Sequence, residues 1–156
     1  MEVLDWVEGS PLAMALRGSG DLYMLVNAAH ILGLGLLLGA IVPLDLRLIG
    51  LFRATPIEVI APFLSRAAAT GLGLAVLTGL ALWSVEPAEY LANAAFRVKA
   101  VLIGLAAVNI ALQHHGAGWR ALRAGTPPPL ATRARAAVSL LLWLSILLAG
   151  RWIGFL

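Results

Sequence analysis

Residues 21–50 read DLYMLVNAAHILGLGLLLGAIVPLDLRLIG, and this run is long enough to cross a bilayer. Inside its apolar part, only Asn27 and His30 are polar. Lipid offers neither hydrogen-bond donors nor acceptors, so these two side chains must face protein, water or a cofactor. The stretch therefore predicts a membrane-spanning helix with His30 as its most informative residue.

Three further apolar segments follow, near residues 62–84, 98–113 and 136–154, and each approaches the ~20 residues that a spanning helix requires. Hydrophobic residues make up 61% of the 156-residue chain, well above the share typical of soluble domains. The sequence therefore predicts an all-α integral membrane four-helix bundle, forming one domain over residues 1–156. The predicted helices span about 22–47, 62–84, 95–115 and 135–154.

A short interfacial helix is predicted in front of the bundle. Ser10 and Pro11 form a helix-start pair, with serine as the N-cap and proline at the first helical position. The following run, PLAMALR, is amphipathic and is expected to end at Gly18. Because Glu2 and Asp5 stand where a signal peptide carries positive charge, we expect no cleaved signal.

Composition excludes several kinds of site. The chain has no cysteine, which excludes disulfides, iron–sulfur clusters, thiolate-bound zinc and covalent c-type haem. The sequence shows no Ser/His/Asp arrangement, phosphate-binding loop or carboxylate pair, so neither a hydrolase nor a kinase is indicated, and whether the chain is an enzyme stays open. The net charge of +3 comes from basic residues at helix ends, which indicates membrane topology and no nucleic-acid partner.

The basic residues also predict an orientation. They are concentrated in the loops between the first and second helices and between the third and fourth, whereas the N-terminal segment and the middle loop are acidic or mixed. Basic loops stay on the cytoplasmic side, so both termini are expected outside. This predicts a multi-pass protein of a bacterial inner membrane with periplasmic termini.

Small residues at four-residue spacing predict seams for close helix packing. The seam of the second helix could serve a neighbour in the same chain or a second copy in a homo-oligomer. In the first helix, Pro43 is expected to kink or end the helix near the far interface. The seam positions are Gly35 and Gly39 in the first helix, and Ala67, Gly71, Ala75 and Gly79 in the second.

Depth decides which polar residues can meet. At ~1.5 Å per residue, His30 lies roughly 12 Å below the outer interface and His114 roughly 27 Å below it. This difference of roughly 15 Å disfavours a haem clamped between the two. For His114 and the adjacent His115, an interfacial role is favoured over metal binding. The same estimate predicts an outer polar layer of Asn27, His30, Arg97, Lys99, Ser145 and Arg151.

This outer layer predicts a cofactor site. His30 would be the axial ligand of a haem b, and the basic side chains would receive its propionates. Lys99 could instead be a second axial ligand if burial keeps its amine neutral. A quinone head group or an anionic lipid would suit the same layer. The simpler interpretation of His30 is a neutral histidine hydrogen-bonded to Asn27, Ser145 or a backbone carbonyl.

Several stretches resemble a family of small bacterial four-helix membrane proteins that is known only as a domain of unknown function. They are LDWVEGSPLAMALR at 4–17, AAHILGLGLLLGAIVPLDLRLIG at 28–50, NAAFRVKAVLIGLAAVNIALQHH at 93–115 and SLLLWLSILLAGRWIGFL at 139–156.

The chain is also distantly similar to the short haem-binding membrane protoporphyrinogen oxidase and to copper-resistance D-like proteins. In the oxidase family, a histidine early in the first helix and a lysine opening the third are functional, and His30 and Lys99 stand at those positions. Arg97 and the closing segment depart from that pattern. The resemblance therefore implies a shared haem-binding architecture and leaves the oxidase activity without support.

The leading hypothesis is a haem b-binding redox protein that exchanges electrons with the quinone pool or with another membrane or periplasmic redox protein. One alternative is a non-catalytic accessory or assembly subunit of a larger membrane complex. Another is a protein that handles copper or a different metal. Arg97, Lys99 and Arg151 could equally anchor the helices by reaching lipid phosphates.

Overall fold

The computed structural model describes residues 2–155, without the side chain of Arg123. Within that range the chain is all-α, and four helices are long and apolar enough to cross a membrane. This confirms the predicted helical membrane bundle. The helices are α1 (Glu2–Glu8), α2 (Pro11–Gly18), α3 (Gly20–Ile49), α4 (Ile57–Trp83), α5 (Pro87–Ala92), α6 (Ala94–His115), α7 (Ala117–Arg123) and α8 (Leu130–Trp152), followed by a 3₁₀ turn at Ile153–Phe155.

Prolines do not end the spanning helices. α3 continues through Pro43, so termination, one of the two effects expected of this proline, does not occur. In membrane helices, neighbouring groups can satisfy the carbonyl that a proline ring leaves without a donor. The helix ends instead at Gly50, whose φ of 126° favours glycine and whose N–H donates to the Leu46 carbonyl over 3.2 Å. α4 similarly continues through Pro62.

The closest helix contact joins α3 and α4 backbone to backbone. A Cβ added to Gly33 would lie 2.8 Å from the Ala75 nitrogen, and one added to Gly71 would lie 2.8 Å from the Gly33 oxygen. A side chain at either glycine would clash, which explains why the seam is built from small residues. The two helices run antiparallel, so facing residues follow opposite directions along the chain. His30 faces Thr78, Gly33 faces Ala75 and Leu37 faces Gly71.

The predicted seam of α4 is therefore used within the chain. The predicted pair on α3 is not, because a Cβ added to Gly35 or Gly39 would meet nothing within 4 Å. The glycine that brings α3 close to its neighbour is Gly33, which lies on the face that also carries His30. The four-residue pattern correctly predicted a seam on α4 but placed the partner seam on the wrong face of α3.

The four spans pack in the spatial order α4, α3, α8, α6. α3 touches both α4 and α8, whereas α4 and α6 have little or no contact with each other. This open arrangement leaves clefts beside the α3–α8 contact. One core cluster includes buried residues of all four spans: Leu37, Ala40, Ala68, Ala106, Trp143 and Ile146.

Short helices close both ends of the bundle. At one end, α2 is started by the Ser10 side chain, which accepts from the Ala13 N–H over 3.3 Å, as its sequence predicts. Leu16 of the same helix is buried where α2 meets α3 and α4. At the other end, Trp119 and Leu122 of α7 are buried in a cluster with residues of α3, α4 and α8.

The outer surfaces of the four spans are strongly apolar. Side chains such as Leu32 and Leu77 are 66% and 70% exposed in the isolated chain, and Val101 and Leu141 are 64% and 67% exposed. A surface of this kind is stable in lipid and would aggregate in water. The chain is therefore a multi-pass membrane protein.

Candidate functional site

A cavity of about 340 Å³ lies between α3, α6 and α8, in the half of the bundle that holds the start of α3. Its volume falls within the range of small-molecule and cofactor sites. The walls are mainly apolar, with Leu34, Leu37, Trp143 and Ile146 among them. Four polar or charged side chains also line it: Asn27, His30, Lys99 and Arg151. We call this space the outer cavity.

The imidazole of His30 is oriented by α4. Its Nδ1 lies 3.0 Å from Oγ1 of Thr78, and that hydroxyl donates its own proton to the Leu74 carbonyl over 2.6 Å. A hydroxyl has one proton to donate, so Thr78 can only accept from His30. Nδ1 must therefore carry a proton, and in the neutral imidazole Nε2 keeps its lone pair. None of the described residues hydrogen-bonds Nε2.

Gly79 provides the space for this ring. A Cβ added there would lie 3.1 Å from Cε1 and 3.5 Å from Nδ1 of His30. The ring edge that carries Nδ1 and Cε1 therefore packs against α4 where that helix has no side chain. Thr78 and Gly79 together fix both the position and the tautomer of the imidazole.

Two cations approach the outer cavity from α6 and α8. The Lys99 side chain is half-buried and packs over Gly150, where an added Cβ would lie 3.3 Å from Nζ. Arg151 is exposed, and its guanidinium carbon lies 4.6 Å from the ring centroid of Phe155. Among the described side chains, neither cation has a carboxylate within 4.0 Å. The cavity mouth therefore holds a guanidinium and an amine without a carboxylate partner.

The structure brings together four of the six predicted site residues. Asn27, His30, Lys99 and Arg151 line the outer cavity, and they come from three different helices. Arg97 is exposed on α6, and Ser145 is partly buried on α8, but neither lines this cavity. Depth alone does not tell which face of a helix a residue occupies, so a layer predicted from depth includes residues that do not line this cavity.

Sequence reasoning missed the side-chain partner of His30. The simpler interpretation offered Asn27, Ser145 or a backbone carbonyl; the structure supplies the Thr78 hydroxyl from α4, and the Ala75 backbone is a further hydrogen-bond partner. The signal was present in the chain, since Thr78 directly precedes the seam residue Gly79. Gly150 was also missed, although it makes room for Lys99 on α8.

A second cavity of about 320 Å³ lies deeper, between α3, α4, α6 and α8, and is almost wholly apolar. It shares Leu37 and Trp143 with the outer cavity, so these two buried side chains separate the two spaces. His114 lines the deeper cavity and His30 the outer one. The two histidines thus face different spaces, as their predicted depths suggest.

His114 makes local contacts. Its Nδ1 lies 3.0 Å from the Ile110 carbonyl, and its ring centroid lies 4.3 Å from that of Trp119 on α7. His115 is exposed beside it. In residues 2–155, no group of three or more His, Asp or Glu side chains is arranged to hold a metal ion.

Residues 3–156 match the family described as Family of unknown function (DUF6644). The chain belongs to this family. The match covers nearly the whole chain, so the bundle and the outer cavity both lie inside the family's domain. No curated protein and no solved structure matches the chain.

For this DUF6644 member, the chemistry of the outer cavity follows from its own side chains. It presents one imidazole nitrogen with an available lone pair, one amine and one guanidinium against apolar walls. Such a set can ligate a metal centre, accept a hydrogen bond and receive carboxylate or phosphate groups. It contains no nucleophile paired with a general base of the kind that hydrolases use.

Proposed function

We propose that this protein is a haem b-binding membrane redox protein in which Nε2 of His30 is the axial ligand. The observation that carries the proposal is the hydrogen bond from His30 Nδ1 to Thr78, because it leaves Nε2 with its lone pair. Histidine ligands to metals almost always donate their other ring N–H to an oriented acceptor, which fixes the ring and raises its basicity. Thr78 has that position here.

The residues of the outer cavity fit the group. Apolar side chains from α3 and α8 would cover the porphyrin faces, and Trp143 would bound it on the side of the deeper cavity. Arg151 and Lys99 would pair with the two propionates at the mouth. When bound, haem b supplies one-electron redox chemistry.

Residues of the chain itself determine the orientation and the surroundings of the His30 imidazole. Thr78 and Gly79 hold the imidazole in one orientation, and the seam between α3 and α4 keeps both residues opposite His30. With haem bound, the apolar walls would disfavour water beside His30. Lys99 would hold the iron as a second protein ligand if its amine were neutral, and Arg151 alone would then pair with a propionate.

We propose a bacterial inner membrane as the location, with both termini in the periplasm. The basic loops then lie on the cytoplasmic side, as the distribution of lysine and arginine favours. The outer cavity would open near the periplasmic surface. This position suits electron exchange with a periplasmic partner or with the head group of a membrane quinone.

The alternative of an accessory subunit has less support. It rests on small-residue seams that would pack against a larger complex. α3 occupies the α4 seam within the chain, whereas the pair Gly35 and Gly39 on α3 stays open to a partner. The copper alternative would need several ligands around one ion, and in the outer cavity His30 is the one imidazole among the described residues.

The proposal is tested by expressing the protein with haem supplementation and purifying it in mild detergent. Dithionite-reduced and air-oxidised absorption spectra should show a Soret band and the α-band of a b-type haem. The pyridine haemochromogen assay should give about one haem per chain. A colourless protein that also fails to take up added haemin would refute the proposal.

A further inference from the structure

Asp45 is a carboxyl group buried inside the bundle, away from the outer cavity. It lies on α3 four residues before the helix ends and is only 3% exposed. Among the described side chains, no lysine, arginine or histidine nitrogen lies within 4.0 Å of it. An ionised carboxylate in such a place is very costly, and buried acids of this kind normally become neutral.

Two buried oxygen atoms at this place accept no hydrogen bond. They are Oδ2 of Asp45 and Oε1 of Gln113, and Gln113 is 7% exposed. Both residues line one small cavity of about 20 Å³, together with Asn109 and Ser139. Buried polar atoms are nearly always satisfied, so two orphaned acceptors facing one cavity indicate a shared donor.

The amide of Gln113 is fixed in orientation. Its Nε2 donates to the Thr132 carbonyl over 3.2 Å, and turning the amide over would set two oxygens against each other. Oε1 is therefore an acceptor toward the cavity. Asp45 can donate to Oε1 directly only by carrying a proton, because an ionised carboxylate has none to donate. One water between the two residues could satisfy both acceptors, and it is the burial of Asp45 without a neighbouring cation that favours the protonated acid over the carboxylate.

We infer that Asp45 is a proton-binding site, holding a carboxylic acid proton at neutral pH that hydrogen-bonds toward Gln113 directly or through one water molecule. The cavity volume exceeds the ~10–15 Å³ that one water requires. The bound species is the proton, and the site is independent of the haem proposed for the outer cavity.

The charged and titratable groups around Asp45 are few. His114 on α6 and Arg135 on α8 line the same cavity, whereas the residue that α7 contributes, Trp119, carries no charge. Arg135 donates one Nη1 hydrogen bond to the Leu112 carbonyl over 3.0 Å. The His114 side chain is exposed, and its Nδ1 lies 3.0 Å from the Ile110 carbonyl.

The test is infrared spectroscopy of the purified protein in detergent at neutral pH, with aspartate labelled by ¹³C at the side-chain carboxyl. We expect a carboxylic acid C=O band that shifts on labelling and again on exchange into D₂O. Asp5 and Asp21, the other two aspartates of the chain, are exposed, and the following two variants assign the band. Asp45→Asn should remove it, and Asp21→Asn should leave it unchanged.

If Asp45→Asn does not fold, Gln113→Leu provides a second measurement. It removes the proposed acceptor, so the band should move to higher frequency while keeping its intensity. Absence of any label-sensitive acid band in the wild type would overturn the inference. So would a rise in melting temperature caused by sodium but not by choline at equal ionic strength, because this would mean that the site binds a metal cation.

Discussion

His30 and Thr78 face each other across the seam between α3 and α4, with Nδ1 and Oγ1 3.0 Å apart. The contact depends on the close backbone approach at Gly33 and Gly71. Gly33 lies one turn from His30 along α3, and Gly71 lies two turns from Thr78 along α4. The packing of α3 against α4 therefore determines the tautomer of His30, and the tautomer determines the chemistry available at Nε2. Each step can be broken separately by a substitution.

Replacing the acceptor should weaken cofactor binding without removing the ligand. We expect Thr78→Val to lower haem affinity by roughly 10–100-fold, the usual effect of losing the partner of a metal-ligating histidine. Thr78→Ser keeps the hydroxyl and should bind like the wild type. Haemin titration followed by absorbance measures both. Equal affinity for Val and Ser variants would show that Thr78 does not orient the ligand.

The Gly79→Ala variant tests the position of the His30 ring while leaving the histidine itself unchanged. The added methyl group would lie 3.1 Å from Cε1 of His30, so the ring must shift and haem occupancy should fall several-fold. Gly73→Ala on the same helix is the matched control, since its methyl group would meet nothing within 4 Å. The prediction fails if the two variants retain the same occupancy.

Stability should depend on the seam. In Gly71→Ala, the new methyl group would clash with the Leu37 nitrogen and would lie 2.8 Å from the Gly33 oxygen. Overpacking of this kind costs about 1–3 kcal/mol, so the melting temperature in detergent should drop by several degrees. Gly73→Ala should be neutral or slightly stabilising, because alanine favours a helix over glycine by roughly 0.5–1 kcal/mol.

The cysteine-free chain makes orientation easy to measure. Glu89→Cys lies on α5 and Arg120→Cys on α7, and both positions are exposed. A membrane-impermeant maleimide added to intact spheroplasts should label the first and not the second, and lysis should expose both. Labelling of Arg120→Cys alone before lysis would invert the proposed topology.

Much of the fold was predictable because bilayer thickness imposes few choices on an apolar sequence. Long apolar runs predicted the four spans, and Ser10–Pro11 predicted the start of α2. The short helices α5 and α7 were missed because their runs lack the length and apolar content of the spans. Pro43 lies inside α3 and does not end it, in keeping with the predicted span of about 22–47, because neighbouring groups in a membrane bundle can satisfy the carbonyl that a proline ring leaves without a donor.

The site was harder to predict than the fold. Sequence position gives the depth of a residue in the membrane, but only helix packing determines which neighbour its side chain faces. Lys99 and Arg151 line the same cavity as His30, whereas Arg97, two residues before Lys99, is exposed and does not line it. Thr78 belongs to α4, whose register against α3 depends on which glycine forms the seam. That choice between Gly33 and Gly35 cannot be made from spacing alone.

The most direct test of the account is the reduced-minus-oxidised spectrum of His30→Ala beside that of His114→Ala, both purified with haem supplementation. The cavities that the two histidines line differ, so only the first change should matter. We predict that His30→Ala loses the b-type bands and that His114→Ala keeps them at wild-type intensity. Full bands in His30→Ala, or their loss in His114→Ala, would contradict His30 as the axial ligand.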